Sequence, residues 1–292
     1  MQIAAMTSVL YSKRNSAEKI PVIESVRRLK AAGFAHIDLN MSGMARNEQE
    51  FCGEDWKWQT DRLRNEAEKL GVTFVQSHAP YYAAGHGMER EEYERYFERM
   101  LLRSVEISHM LGVHASVVHP AEGVNCAPED KAAHLARTRK IHLSFMEKAK
   151  KLGIAPAYEN MPDLAGTNRF CKGAVDLLML CDAFRDYGAG VCWDFGHGNL
   201  SFADQCLEIA KLKGRILCVH THDNKGKNDD HLMPFMGSIP WERVLPALKG
   251  TGFKNDLVLE VSQNAKMPDD LKDESTLLMA HASRLLLRMF ES

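Results

Sequence analysis

The sequence predicts a single-domain α/β protein, a (β/α)8 TIM barrel spanning residues 1–292. Three observations predict it. Short apolar runs rich in β-branched residues alternate with longer segments of helical period, and eight such units follow one another. Several helical segments end in Gly and lead straight into the next strand, as a left-handed helix cap requires. A chain of 292 residues with 45% hydrophobic and 26% charged content suits one barrel, which commonly needs about 250 residues.

The strands read in order are QIAAMTS (2–8), FAHIDLN (34–40), VTFVQSH (72–78), VHASVVH (113–119), IAPAYEN (154–160), AGVCWDF (189–195), RILCVHT (215–221) and DLVLEVS (256–262). Helical segments fall near 17–32, 56–70, 90–111, 128–152, 172–186, 202–212, 240–249 and 271–290. The Gly signals are those of KAAGF, KLGV, MLGV, KLGI and KGTGF. An open doubly wound sheet is the alternative. It usually carries a glycine-rich turn after its first strand, and SVLYSKRNS contains no glycine.

A net charge of −2 gives no electrostatic footprint for nucleic acid. The seven cysteines are odd in number and form no CxxC pair. Cys192 and Cys218 lie in apolar runs and read as buried thiols, which fits a reducing, cytoplasmic setting. MQIAAMTSVLYSKR lacks a positive region ahead of its apolar stretch and reads as a first strand. No apolar run approaches the ~20 residues of a membrane span. Helix faces such as LLMLCDAF leave a homo-oligomer open.

In such barrels the chemistry sits at the carboxyl ends of the strands. Here six consecutive strands end in a metal-competent side chain: His78, His119, Glu159, Asp194 (with His197 in the following turn), His220 and Glu260. Their separations of 41, 40, 35, 26 and 40 residues each amount to about one strand–helix unit. One such residue is weak evidence, since it can cap a helix or hydrogen-bond locally. Six in phase bring carboxylates together, at a cost in desolvation and repulsion that a divalent cation removes. The segment VHTHDNKGKNDDH (219–231) adds to this wall. His220 points to the rim, Thr221 away, and His222 inward again. Asp229 and His231, two apart, face one side if the segment is extended. Asp230, Lys225 and Lys227 then face solvent.

With SHAPYY, VVHPAEG, YENMP, CWDFGHGNL, VHTHDN, DDH and LEVS in this order, the chain resembles the xylose isomerase-like barrel superfamily over essentially its whole length. That group contains sugar and sugar-phosphate isomerases and epimerases, inosose dehydratase-like enzymes and endonuclease IV. The resemblance implies one divalent ion (Mn, Zn, Mg or Co) held by Glu159, Asp194, His220 and Glu260. Glu159 and Glu260 would serve as catalytic acid and base beside a carbonyl, through an enediolate that the ion stabilises. His78, His119, His197, His231 and Asp229 would contact a small sugar or sugar phosphate. Asp223 matches the family's His-x-x-Asp pattern, which leaves His222 outside the ligand set. Trp193 or Trp241 is offered for the sugar's apolar face, with burial in the core as the favoured alternative.

The endonuclease IV branch implies instead three zinc ions on His78, His119, Glu159, Asp194, His197, His220, Asp229, His231 and Glu260, and abasic DNA as substrate. The loops NMSGMARNEQEF and APYYAAGHGMEREEYERYFER are not strongly basic, and ENMPDLAGTNRF is closer to the sugar branch. Nucleic acid is therefore the less favoured partner. A non-catalytic sugar-binding module on the same scaffold is the third possibility.

Overall fold

The computed structural model describes residues 1–10, 20–82, 87–121, 127–163, 168–263 and 267–292. Eight strands close into one parallel barrel in sequence order: β1 (Ile3–Met6), β2 (His36–Asn40), β3 (Thr73–His78), β4 (Ala115–Val118), β5 (Ala155–Glu159), β6 (Gly190–Asp194), β7 (Ile216–Thr221) and β8 (Leu257–Leu259). β1 pairs with β8, which seals the cylinder and leaves no sheet edge. Each strand lies inside the run predicted for it and is shorter by its frayed ends.

The helices are α1 (Val22–Ala31), α2 (Trp56–Leu70), α3 (Arg90–Met110), α4 (Lys131–Leu152), α5 (Ala174–Ala183), α6 (Phe195–Ser201), α7 (Cys206–Lys211), α8 (Trp241–Gly250) and α9 (Asp269–Glu291). The predicted start of the first helix, 17–19, lies outside the described residues. The Gly signals hold: Gly33, Gly71, Gly112, Gly153 and Gly252 all have positive φ. At Gly71 (φ 62°) the chain reverses so that its N–H bonds Glu68 C=O and the Val72 N–H bonds Ala67 C=O, satisfying carbonyls the helix end leaves open.

The period-two alternation of the strands sorts the core. Outward residues such as Ile37, Leu39, Tyr158, Val191, Trp193 and Val219 pack under the helices in the large apolar cluster. Val117, Ala157, Cys192 and Cys218 form a separate small cluster in the barrel interior. These small side chains fill the floor, and the next inward residue on each strand is His119, Glu159, Asp194 or His220. The floor thus fixes the height at which the polar groups emerge.

One helix was not expected. α6 is built from FGHGNLS, whose two glycines disguise it. Asp194 starts it, its Oδ1 accepting the His197 N–H at 2.6 Å. Six cysteines within the described residues are free. Cys126 lies outside them. Among the described residues no helix is long and apolar enough to cross a membrane.

Candidate metal centre

The strand-end residues converge on the mouth of the barrel in three groups. In each, the ligand-competent atoms lie within 4.8 Å of one another. The first is Glu159, Asp194, His220 and Glu260; the second is His78, His119 and Glu159; the third is His197, His222, Asp229 and His231. Glu159 belongs to two of these groups, and to a fourth with Cys192 and His220. Its Oε1 lies 2.8 Å from His220 Nδ1, and its Oε2 lies 2.8 Å from His119 Nε2 and 3.3 Å from His78 Nε2. His220 Nδ1 also lies 2.9 Å from Glu260 Oε2 and 3.8 Å from Asp194 Oδ2. Asp194 Oδ2 in turn lies 2.9 Å from His222 Nε2, linking the first group to the third. Within the third, Asp229 Oδ2 is 3.3 Å from His197 Nε2 and 3.1 Å from His231 Nε2.

These spacings match a coordination sphere. Bonds of about 2.0–2.2 Å from a cation to N and O donors leave the donors of one sphere about 3–3.5 Å apart. The protonation pattern supports the same reading. His78 Nδ1 lies 2.9 Å from Ala79 C=O, His197 Nδ1 2.8 Å from Asn160 C=O and His231 Nδ1 2.9 Å from Glu260 C=O. A carbonyl only accepts, so each Nδ1 carries the hydrogen. The Nε2 of each ring then faces a carboxylate oxygen, a contact that requires a proton or a metal cation between the two atoms. Asp229 Oδ1 and Glu260 Oε2 are moreover buried with no hydrogen-bond partner. The donor set therefore fits divalent ions.

The electrostatics show the same demand for positive charge. Burial opposes protonation of His220, yet the neighbouring Cys192, Glu260 and Glu159 outweigh it and hold its pKa well above the usual range. Burial likewise opposes a charge on His197, and Asp194 and Asp229 override it upward. His231, buried beside Asp229, stands at about 9. Burial would raise Glu260, but His220 pulls it down to about 2. Glu159 falls well below its usual range because His220 and His119 outweigh its burial. Burial pushes the Cys192 thiol well up, so it lies beneath His220 as a neutral group.

All nine residues singled out in the sequence are brought together here, and Lys225, Lys227 and Asp230 are exposed as expected. His222 lies outside the Glu159, Asp194, His220 and Glu260 group, as the family pattern implies, yet it is fully buried, stacks on His231 with ring centroids 4.0 Å apart, and offers Nε2 to the third group. Gly196 makes this possible, since a Cβ there would overlap the His222 ring and lie 2.5 Å from both its nitrogens. The 229–231 segment is not simply extended. His231 has φ 47°, and its conformation is tied by Nδ1–H to Glu260 C=O and by its own carbonyl to Ser262 N–H. Trp193 and Trp241 face no cleft. They are buried, donating to Gln205 Oε1 (3.0 Å) and Asp223 Oδ2 (3.1 Å). Asp223 also accepts backbone N–H groups from Asn224, Phe235 and Ile239, so it organises the loop that carries Asp229 and His231.

Sequence reasoning missed several residues. Asp38 on β2 is fully buried, accepts from Gln76 Nε2 at 2.5 Å and lies 3.6 Å from His220 Nε2. Its inward phase with Asn40 was a usable signal. Asn160 clamps β6 with both ends of its amide, accepting from Asp194 N–H (2.6 Å) and donating to Asp194 C=O (3.0 Å). Above the donors opens a cleft of about 370 Å³ whose lining includes Tyr81, His119, His197, Asp229, Arg137 and Arg169. The Tyr81 ring stacks on His119 at 4.7 Å. Residues 83–86, 122–126, 164–167 and 264–266, which include parts of the loops read above, lie outside the described residues.

The family described as Xylose isomerase-like TIM barrel matches residues 26–281. The chain belongs to this family. An uncharacterised protein of Sinorhizobium fredii, y4fM, is 33% identical over 98 residues, covering 34% of this chain and only 30% of its own length. Among solved structures, a D-tagatose 3-epimerase-like protein superposes with TM-score 0.72 at 20% identity, over 100% of this chain and 98% of that one. An L-ribulose 3-epimerase superposes with TM-score 0.73 at 17% identity, over 100% and 95%. At these identities the superpositions establish the barrel fold shared within the family.

Proposed function

We propose that this family member is a divalent-metal-dependent sugar isomerase or epimerase, moving a proton beside a carbonyl. The observation that carries the reading is the convergence of Glu159, Asp194, His220 and Glu260 within 4.8 Å, with His119, His197 and Asp229 of the adjoining groups lining a cleft. Structural neighbours that are epimerases or epimerase-like agree with it.

A divalent ion held by those four residues supplies the positive charge that polarises a substrate carbonyl and acidifies the adjacent C–H. The mixed carboxylate and imidazole donors suit Mn, Mg, Co or Zn. Glu260, the more exposed carboxylate, accepts the proton while the C–H electron pair moves into an enediolate. Glu159 returns a proton from the other side of the substrate, taking it from the flanking His78, and Glu260 resets by releasing its own proton to solvent. His78 and His119 flank Glu159 and hold its charge between turnovers. The Arg137 and Arg169 guanidiniums in the cleft suit a substrate bearing a phosphate or carboxylate. A sugar phosphate is thus favoured over a free sugar.

The test is solvent-deuterium incorporation beside the carbonyl across free and phosphorylated ketoses and inositols, with Mn or Zn added. Exchange with at least one substrate, lost in Glu260→Gln, is expected. No exchange across the set by a metal-loaded, folded protein overturns the proposal.

One observation favours a second reading. Glu159 bridges two donor groups and Asp194 contacts a third, an arrangement suited to more than one ion and to phosphodiester hydrolysis. Three ions per chain, with nicking of an abasic duplex and no sugar exchange, would select it.

A further inference from the structure

The face of α9 turned to solvent is left uncovered by the described residues. Of the ten large hydrophobic residues exposed among the described residues, four lie on this one helix: Leu271, Leu277, Leu278 and Leu285. Leu271, Leu278 and Leu285 recur every seven residues, so they form one stripe along the helix. Leu271 and Leu278 are 57% and 56% exposed, on a helix whose opposite face is buried through Thr276, Ala280 and Ser283. Heptad spacing of this kind marks a seam for another helix.

The charges beside the stripe identify that helix. The first turns of α9 are acidic and the last turns basic. Asp269 and Asp273 pair within the chain, with Lys272 and Arg28, and Arg284 reaches Gly33 C=O. Asp270, Glu274, His281 and Arg288 are exposed, and among the described residues they form no ion pair. Asp270 and Arg288 are eighteen residues apart, which is five helical turns, so they point to the same flank of the stripe. Glu274 and His281, seven apart, share that flank.

We infer that α9 is the contact surface of a two-fold homodimer, in which the helix packs antiparallel against α9 of a second copy of this chain. A two-fold axis at Leu278 sets Leu271 of one copy level with Leu285 of the other. It carries each flank onto itself, as an isologous interface must. Asp270 then falls within two residues of Arg288 of the second copy, about 3 Å along the axis. Glu274 falls within one residue of His281. Both pairings occur twice. A parallel arrangement would carry this flank to the opposite side of the seam in the second copy, and none of these charges would meet. The self-complementary charge order selects both the partner and the direction. A depression of about 240 Å³ between α1 and α9, lined by Arg28, Ala31, Ala32, Asp273, Glu274 and Leu277, flanks the seam and gives an entering Leu277 a seat. One helix face covers less than the ~800 Å² per partner of a standard interface, so the dimer is reversible.

The test is sedimentation velocity of the full-length protein from about 1 to 200 µM, a range set by that modest area. A concentration-dependent dimer is expected. Leu278→Glu, at an exposed position outside the core, should weaken it by about tenfold or more with thermal stability unchanged. Arg288→Asp should weaken it roughly fivefold, and Asp270→Arg combined with Arg288→Asp should restore it. Leu278→Cys, on the axis, should trap a disulfide-linked dimer under mild oxidation. A monomer throughout the range overturns the proposal. So does a dimer indifferent to Leu278→Glu but broken by Leu207→Glu on α7, which would place the contact elsewhere.

Discussion

Gly196 is the most sensitive small residue near the donors, and Gly196→Ala tests how the third group is built. Gly196 lies in α6 at a helical position without positive φ, where Ala should be favoured by up to about 1 kcal/mol. The added Cβ, however, would overlap the His222 ring. That ring cannot yield cheaply, because it stacks on His231 and lies 2.9 Å from Asp194 Oδ2. Overpacking of a fixed group costs about 1–3 kcal/mol. Losing the contact to a carboxylate adds about 1.5–3 kcal/mol if the ring is expelled. A net loss of about 3 kcal/mol is expected. For 292 residues, at about 2.1 cal/mol/K each, the unfolding entropy is about 0.6 kcal/mol/K, so Tm should fall by about 5 °C. In a His222→Ala background the same substitution should be neutral or stabilising. Calorimetry on the four proteins of the double-mutant cycle reads this sign reversal. Equal destabilisation in both backgrounds, or a stabilised Gly196→Ala protein, would refute the close approach.

Three further outcomes are expected. Glu159→Gln should abolish deuterium exchange while leaving the circular dichroism of the barrel unchanged; retained exchange removes Glu159 from proton transfer. Chelation should lower Tm by several degrees, because an ion present at about 1,000 times its Kd contributes about 4 kcal/mol, and adding Mn or Zn should restore it. An identical melt before and after chelation, with no metal retained by the untreated protein, would remove the ion from the folded state. His142 gives a separate pH signal. It is fully buried between α4 and β5, lies 2.9 Å from the Tyr158 hydroxyl, and burial lowers its pKa to about 3. The unfolded chain, with a histidine pKa of about 6.5, binds the proton first as pH falls. Stability is therefore full above about 6.5 and declines toward 3, by about 2 kcal/mol at pH 5. Urea denaturation at pH 7.5 and 5 should show that extra loss in the native chain and not in His142→Gln; equal losses would contradict it.

The ends of the strands were legible because two periodicities act together. A strand–helix unit takes about 40 residues, and a strand alternates its side chains every two, so residues in phase at one height can be picked from sequence spacing alone. That argument finds His78, His119, Glu159, Asp194, His220 and Glu260, and four of them, His119, Glu159, Asp194 and His220, continue an inward row above Val117, Ala157, Cys192 and Cys218. It fails where a side chain is set by something other than strand phase. His231 reaches Asp229 through a left-handed residue, a conformation no local pattern announces. Arg137 and Arg169 reach the cleft from a helix and a loop. α6 was hidden because its cap, Asp194, also reads as a ligand.

His222 is the instructive case. Strand phase did point it inward, but the ligand pattern of the family assigned it no place. The structure shows why it has one: Gly196 opens the space, Asp194 receives the Nε2, and His231 stacks on the ring. Asp194 consequently performs three tasks with two oxygens. Oδ1 caps α6 through the His197 N–H, while Oδ2 faces both His222 and the first donor group. Moving this carboxylate therefore disturbs the helix carrying His197 as well as two donor groups at once. An Asp194→Asn substitution should accordingly cost more stability than Glu260→Gln, although both replace one carboxylate oxygen by an amide nitrogen. Asp194→Asn keeps an oxygen for the cap but turns an N–H₂ toward His222 or toward the site, and either orientation loses an acceptor. Glu260 caps no helix, and its backbone carbonyl, which receives His231 Nδ1–H, is untouched by the change. If chemical denaturation finds Asp194→Asn no less stable than Glu260→Gln, the coupling of the donor groups through Asp194 is wrong, whatever either variant does to turnover.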